Sequence, residues 1–451
     1  MKKSLFIGMA CWLTTASVGA QEPASPWTLE ECIRYAIEHN ITLKQQEQVQ
    51  ANREVELQTN RAAWLPAVNA NMGQSFQFGR ASTKSGVIVD QNASNTSFNI
   101  NLDMPLFDGM KTYHNIAASK LNLKAAVETL NKAKEDLSIQ IASTYLQVLY
   151  NKELLKIAEL QIALDQEQVQ RTEALVNNGK VPLSQLYDIK AQLAKDEVTR
   201  TEAANNVQLA LLDLAQSLEL EQEEKGFDIP APTQVDAIEA NMGSLLPPDL
   251  IYDHAISFKP QIKEQEYLLA NQKELLKVAQ SGYYPKLNFG ASYSNGYYHT
   301  SGGASQYFDN LSFGKQLKQN GQKIVGFSLS IPLFNRLQVR NSVRSSRIGI
   351  RNQELAMENT KKQLYKEIQK AFYDASAAQQ KYQASDKSVE ANREAFHYAQ
   401  QKYEAGKSTV FEFNEAKTKY AQSLAEQAQA KYDYIFRAKI LDFYDGKPLR
   451  L

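Results

Sequence analysis

Five histidines and two cysteines are the side chains in this sequence best suited to metal ligation or nucleophilic chemistry, and their spacing supports neither. His39, His114, His254, His299 and His397 are scattered, and none has a partner at metal-ligand spacing. There is no phosphate-cradling glycine loop, no dinucleotide-binding glycine fingerprint and no nucleophile elbow. Each histidine therefore reads as a structural or surface residue, and no catalytic residue, metal or cofactor is expected. Cys32 lies among helix-forming residues and reads as a small buried hydrophobe.

The informative residues sit at two helix breaks. Leu175-Val176-Asn177-Asn178-Gly179-Lys180-Val181-Pro182-Leu183 interrupts one long helical pattern, and Lys402-Tyr403-Glu404-Ala405-Gly406-Lys407-Ser408-Thr409-Val410 interrupts another. In each, Gly supplies a left-handed helix cap, and Pro182 or Ser408/Thr409 restarts the next helix. Taken singly these are ordinary hairpin turns. They are also equivalent, because the chain overlays on itself. Ala36-Ile37, Leu43-Lys44, Ala51-Asn52, Leu57 and Pro66 recur 219 positions later as Ala255-Ile256, Ile262-Lys263, Ala270-Asn271, Leu276 and Pro285. The shift then becomes 227, pairing Pro105-Leu106-Phe107 with Pro332-Leu333-Phe334 and Gly179-Lys180 with Gly406-Lys407. Two repeats are too few for a solenoid, so each half builds half of one body. The two breaks become the tips at one end of a long cylinder.

The elements behind the tips are long helices. Residues 110–178, 183–225, 350–405 and 407–445 contain neither Pro nor Gly, and the first could run about 100 Å. Leu137, Ile141, Tyr145, Leu149, Leu160, Leu164 and Leu175 mark one apolar stripe. Helices of this length must lie side by side as coiled coils. Four stretches alternate instead with period two: Val68–Phe78, Phe98–Met104, Leu287–Tyr293 and Val325–Ile331. Their polar positions are Asn, Ser and Gly rather than charged residues, as in a water-filled lumen. Trp64, Phe107, Tyr283, Tyr284 and Phe334 stand at the strand ends, where an interfacial girdle would be. Residues 79–96 and 295–323 read as long polar loops. Residues 219–258 read as an irregular linker, opening with the acidic run Glu219-Leu220-Glu221-Gln222-Glu223-Glu224, taken as a solvated surface.

Residues 1–20 have the form of a signal peptide: Lys2-Lys3, an apolar run from Leu5 to Leu13, and Val18-Gly19-Ala20. A lipid-anchor reading through Cys11 is disfavoured, because Gly8-Met9-Ala10 lacks the usual leucine. Removal of the leader leaves 48 basic against 50 acidic residues, which gives no electrostatic case for nucleic acid. It also leaves Cys32 as the only cysteine, so no intrachain disulfide is expected. The division is then 1–20 signal peptide, 21–218 first repeat, 219–258 linker, 259–445 second repeat and 446–451 tail. The fold class is mainly α with a small β part. Four strands cannot close a membrane barrel, so eight strands in a dimer or twelve in a trimer are required. A soluble periplasmic coiled-coil adaptor or structural tether would explain the helices and leader, and would leave the four strands unexplained.

Together the leader, the duplicated strand–loop–strand plus helical hairpin, the Pro-Leu-Phe at the second strand's end and the Tyr-x-x-Gly tip resemble the TolC family of outer-membrane efflux and secretion ducts. The resemblance spans essentially residues 27–445. It implies a homotrimer with a twelve-stranded barrel in outer-membrane lipid and a helical tunnel across the periplasm. It also implies docking, through tips at Gly179, Lys180, Gly406 and Lys407, to a periplasmic adaptor and an inner-membrane transporter. Aligned on the tip glycines, the family's acidic entrance residues fall on Glu412 and Glu415, with Gln185 and Asp188 as their first-half equivalents and Tyr403 as the tip tyrosine. Ser408 and Gln185 stand where tightly closed relatives carry a basic and an acidic residue, so that charged lock is absent. Six carboxylates around a narrow passage would repel one another, which is expected to raise their titration above the ~4.3 of an ordinary Glu.

Overall fold

A computed structural model of the protein describes residues 27–82, 86–220, 227–230, 245–302, 305 and 310–450. The leader and most of the acidic run lie outside these residues. The first half contains α1 (Leu29–His39), α2 (Ile41–Ala62), β1 (Ala67–Ser82), β2 (Ile88–Phe107), α3 (Lys111–Asn177) and α4 (Leu183–Ser217). The second half contains α5 (Pro248–Phe258), α6 (Pro260–Gln280), β3 (Lys286–Ser301), the short α7 (Phe313–Gln319), β4 (Gln322–Ser330), α8 (Gln338–Glu404) and α9 (Val410–Tyr444). The duplication is structural: α3 and α8 each have 67 residues, and α4 and α9 each have 35. A helix of that first length spans about 100 Å.

The helices lie side by side. α3 packs along α4, α8 along α9, and α9 joins the two hairpins through α3. Nearer the sheet, α6 occupies the place between α3 and α8 that α9 takes nearer the tips. The apolar core gathers where α1 and Ile229 cross the middle of α3 and the ends of α4 and α9. Cys32, Ala36, Leu43, Ile141, Tyr145, Leu149 and Leu214 are buried there. The second copy buries the equivalent Ile251, Ala255, Ile262, Ile368 and Leu441. Cys32 is fully buried, and burial pushes its thiol up to about 12, as a small core hydrophobe requires.

Sequence periodicity misplaces the tip-proximal half of α3. Leu137, Ile141, Tyr145 and Leu149 are inside, but Leu160 is 46% exposed while Gln161, Asp165, Gln168 and Thr172 are buried. Helical spacing is the same for both sets, so a polar stripe is buried in place of the expected leucines, and Asp165 on it meets Lys417 of α9.

The four strands form one antiparallel sheet in the order β1-β2-β3-β4, and the β2–β3 pairing joins the two repeats. Register places the apolar positions of the four alternating stretches on one face: Met72 opposite Phe98, Ile100 opposite Tyr293, and Phe289 opposite Phe327. Asn71 opposite Asn99 and Asn101 opposite Ser292 line the other. The apolar face is uncovered, with Met72 72% and Phe327 70% exposed. None of the described helices is long and apolar enough to cross a membrane.

Three expectations change. Most of residues 79–96 and the first part of 295–323 are strand, because β1, β2 and β3 run on beyond the lipid-length segment of about 9–11 residues. Beyond it polar residues predominate on both faces, which removes the regular alternation that marks a half-buried strand. β3 also outruns β4. Its free edge is covered by side-chain amides: Gln316 accepts from the Tyr298 N–H at 2.9 Å and donates to its carbonyl at 2.7 Å. Asn310 makes the same two bonds with Thr300. The stretch 219–258 contains α5, whose Pro248 occupies a first-turn position where its missing N–H costs nothing. Glu219 is more than a solvated carboxylate, since it accepts from the backbone N–H of Ile41 at the start of α2.

Candidate functional site

Both tips are built the same way. The N–H of Gly179 reaches the Val176 carbonyl and that of Lys180 reaches Leu175, at 2.8 and 2.9 Å. The N–H of Gly406 reaches Tyr403 and that of Lys407 reaches Lys402, at 3.0 and 2.8 Å. This pair of bonds satisfies the last helical carbonyls and requires a left-handed residue at the turn. Gly179 and Gly406 supply it, with φ of +67° and +69°. Nothing lies within 4 Å of where a Cβ would stand on either glycine, so the tips project freely. Arg171 of α3 ties them together, bonding the Glu404 carboxylate at 3.1 Å and its backbone carbonyl at 3.2 Å.

The helix that leaves the second tip is capped by Glu412, one of the residues expected at an entrance. Thr409 and Glu412 form a reciprocal capping box, with the Glu412 N–H donating to Thr409 Oγ1 at 3.2 Å and the Thr409 N–H to Glu412 Oε2 at 3.3 Å. Ser408 donates to the same carboxylate oxygen at 2.6 Å. Ser408, absent from any charged lock, thus ties down Glu412 within one turn. The Ser408 hydroxyl, then the Thr409 backbone, hold Glu412 below the usual carboxylate range. Within a protomer this is opposite in direction to the rise expected from ring repulsion.

Glu415 is exposed and pairs with Lys419 at 2.8 Å. Tyr403 is half-buried and stacks on Phe413, with ring centroids 5.2 Å apart. Phe396 continues the aromatic ladder to Phe413 and Tyr420. Gln185 and Asp188 sit in the first two turns of α4. Among the described residues, no hydrogen bond or ion pair within the protomer joins them to Glu412 or Glu415. Lys180 and Lys407 are exposed at their turns.

The sequence reading missed a buried ion cluster above the tips. Lys417 of α9 is 1% exposed and bonds Asp165 of α3 and, at 2.8 Å, Asp196 of α4. A signal was present, because Lys417 falls at helical spacing from Val410 and Phe413 on the buried face of α9. A second buried lysine, Lys259, was also missed. It bonds Glu135 at 3.1 Å and the Phe443 carbonyl at 3.2 Å, under the Phe443 ring.

Comparison with known proteins bears on the family and the fold. The family described as outer membrane efflux protein matches residues 32–219 and 251–446. Outer membrane protein TolC of Escherichia coli (strain K12) is 23% identical over 368 residues, covering 76% of this chain and 68% of that one. Proteases secretion protein PrtF of Dickeya chrysanthemi is 20% identical over 393 residues, covering 84% and 79%. Among solved structures, the Campylobacter jejuni CmeC outer membrane channel superposes with a TM-score of 0.72 at 17% identity, covering all of this chain and 95% of that one. With the family matched in both repeats and the fold shared end to end, this chain belongs to the outer membrane efflux protein family.

Proposed function

We propose that the protein is the outer-membrane exit duct of a tripartite efflux pump or type I secretion system, working as a homotrimer. The observation that carries this reading is a four-stranded sheet, apolar on one bare face and unpaired at both edges, continuous with helical hairpins about 100 Å long. Lipid does not solvate open sheet edges. Three copies would give twelve strands around a lumen lined by Asn, Ser and Gly. Exposed Leu183, Tyr187, Val198, Leu209 and Leu212 on α4, and Ile348, Leu355, Tyr373 and Tyr398 on α8, would be covered by neighbouring copies. These are the two helices at the flanks of each protomer.

The duct reads little of its cargo. The family description speaks of efflux and the name PrtF of protease secretion, which supports small toxic molecules or polypeptides as cargo. The projecting tips at Gly179-Lys180 and Gly406-Lys407 would meet the periplasmic adaptor, through which an inner-membrane transporter supplies the energy. Glu412, Glu415, Asp188 and Gln185 would line the entrance, with Tyr403 and Ser408 setting the geometry of its second turn. The test is mass in detergent after extraction from the outer membrane. About three times the protomer mass is expected, and a stable inserted monomer would overturn the reading.

A further inference from the structure

Among the described residues, the deepest charged cluster carries one more negative than positive charge. Asp165 and Asp196, from the two helices of the first hairpin, grip the single ammonium of Lys417 from the second. Asp165 is about 18 Å from the end of α3, on the seam that runs down to the tips. Its second oxygen, Oδ2, is buried and has no protein donor among the described residues. Two ionised carboxylates can only accept, so neither can satisfy the other. A single proton between them would. It would give Asp165 Oδ2 a bond, balance the buried charge and leave Lys417 paired with one carboxylate.

Among the described residues, Lys417 is the only cation in ion-pair contact with either carboxylate. On α3, Asp165 is flanked by Gln161 and Gln168, whose buried Nε2 and Oε1 also lack partners. On α4, Gln192 donates to Asp196 at 2.9 Å, and Lys195 and Glu202 stand on the wall of an adjoining groove of about 410 Å³. On α9, Thr418 and Gln422 border that groove. The α8 residue lying between Phe413 and Tyr420 is Phe396, an aromatic ring.

We propose that Asp165, Asp196 and Lys417 form a one-proton clamp between the two hairpins of each protomer, tight when the carboxylates share a proton and loosened when both are ionised. Charge supports the same direction. Burial first, then the bond with Asp196, push Asp165 up to about 6, while Asp196 lies below the usual range. A carboxyl raised when clamped stabilises the clamp below its ordinary value of 3.8, and that contribution is lost as pH rises through about 6. Asp196 acts in the opposite sense, losing its contribution only as pH falls below its own lowered value. Grip is therefore greatest in mildly acidic surroundings, and a neutral periplasm keeps the seam poised to part. An effect on the pore rests on the reading of the tips as its entrance. An effect on the seam does not.

Amide hydrogen exchange of α9 between Val410 and Gln422 in the detergent-solubilised full-length assembly, corrected for intrinsic pH dependence, tests the clamp. Protection in the wild type should fall as pH rises from 4.5 to 6.5, by up to about tenfold per unit for one linked proton. Asp165→Asn, whose amide can donate to Asp196 as the protonated acid would, should be protected at pH 6.5 like the wild type at pH 4.5, with little pH dependence. Glu167→Gln, which alters an exposed carboxylate of the same helix, should leave the wild-type profile unchanged. Single-channel conductance over the same range should rise in the wild type and stay flat in Asp165→Asn. Exchange that changes without conductance would keep the clamp and remove the entrance reading. Wild-type protection independent of pH, or an unaltered profile in Asp165→Asn, would overturn the clamp.

Discussion

Ser408 and Thr409 both donate to Glu412, and that single fact changes what its carboxylate should do in a pore. A carboxylate held by hydrogen bonds is stabilised in its ionised form. Its contribution to the helix cap is present above the ordinary value of 4.5 and is lost as pH falls through the lowered one. Glu412 should therefore stay charged at pH 5. In planar bilayers under a salt gradient, cation preference should be equal at pH 7 and pH 5, and Glu412→Gln with Glu415→Gln should reduce it at both. A wild-type preference that collapses between those values would mean repulsion across the assembled ring outweighs the local bonds. The entrance role proposed for Glu412 and Glu415 rests on resemblance. The capping box was readable directly, because Thr409 and Glu412 have the spacing of one, as Thr28 and Glu31 do at the start of α1.

The tips show how far an element can be understood without its partners. At Gly406 a side chain would meet empty space, so Gly406→Val should act through backbone conformation alone, at a cost of about 1–2 kcal/mol for a left-handed L-residue. That is small against helices held by a buried core. Assembly and membrane levels should be normal, while adaptor co-purification and drug resistance drop; unchanged adaptor capture would move docking away from this turn. Helix ends at the tips were legible because Gly and Pro punctuate them, whereas α8 runs from Gln338 straight through Gly349 and α4 stops at Ser217, short of Gly226. The core of α3 from Leu137 to Leu149 followed from spacing. The tip-proximal core was hidden for a physical reason. Asp165 and Lys417 are 252 residues apart, and a buried charge is recognisable only beside its counter-charge. The outer strands were hidden likewise, since Asn92–Ser97 of β2 carry no apolar alternation and are held by backbone pairing to β1 and β3.

At the scale of the whole molecule, the protomer is unfinished in two places that point the same way. Its sheet has free edges at β1 and β4, and its helical body ends laterally in α4 and α8, both carrying large apolar side chains in solvent. Leu209 and Leu212 on α4 are each 51% exposed, and such surface gains roughly 25 cal/mol per Å² when a neighbour covers it. Charging these positions separates assembly from folding, because about half of each side chain already faces solvent. Leu209→Asp with Leu212→Asp should leave far-ultraviolet circular dichroism close to wild type while the oligomer band in mild detergent disappears. Thr201→Asp, also on α4 but polar and exposed already, should leave the oligomer intact. If the double variant still assembles, α4 faces water and the copies meet elsewhere. If it loses helix as well, α4 depends on its neighbour to fold, and the protomer has no independent existence in the membrane.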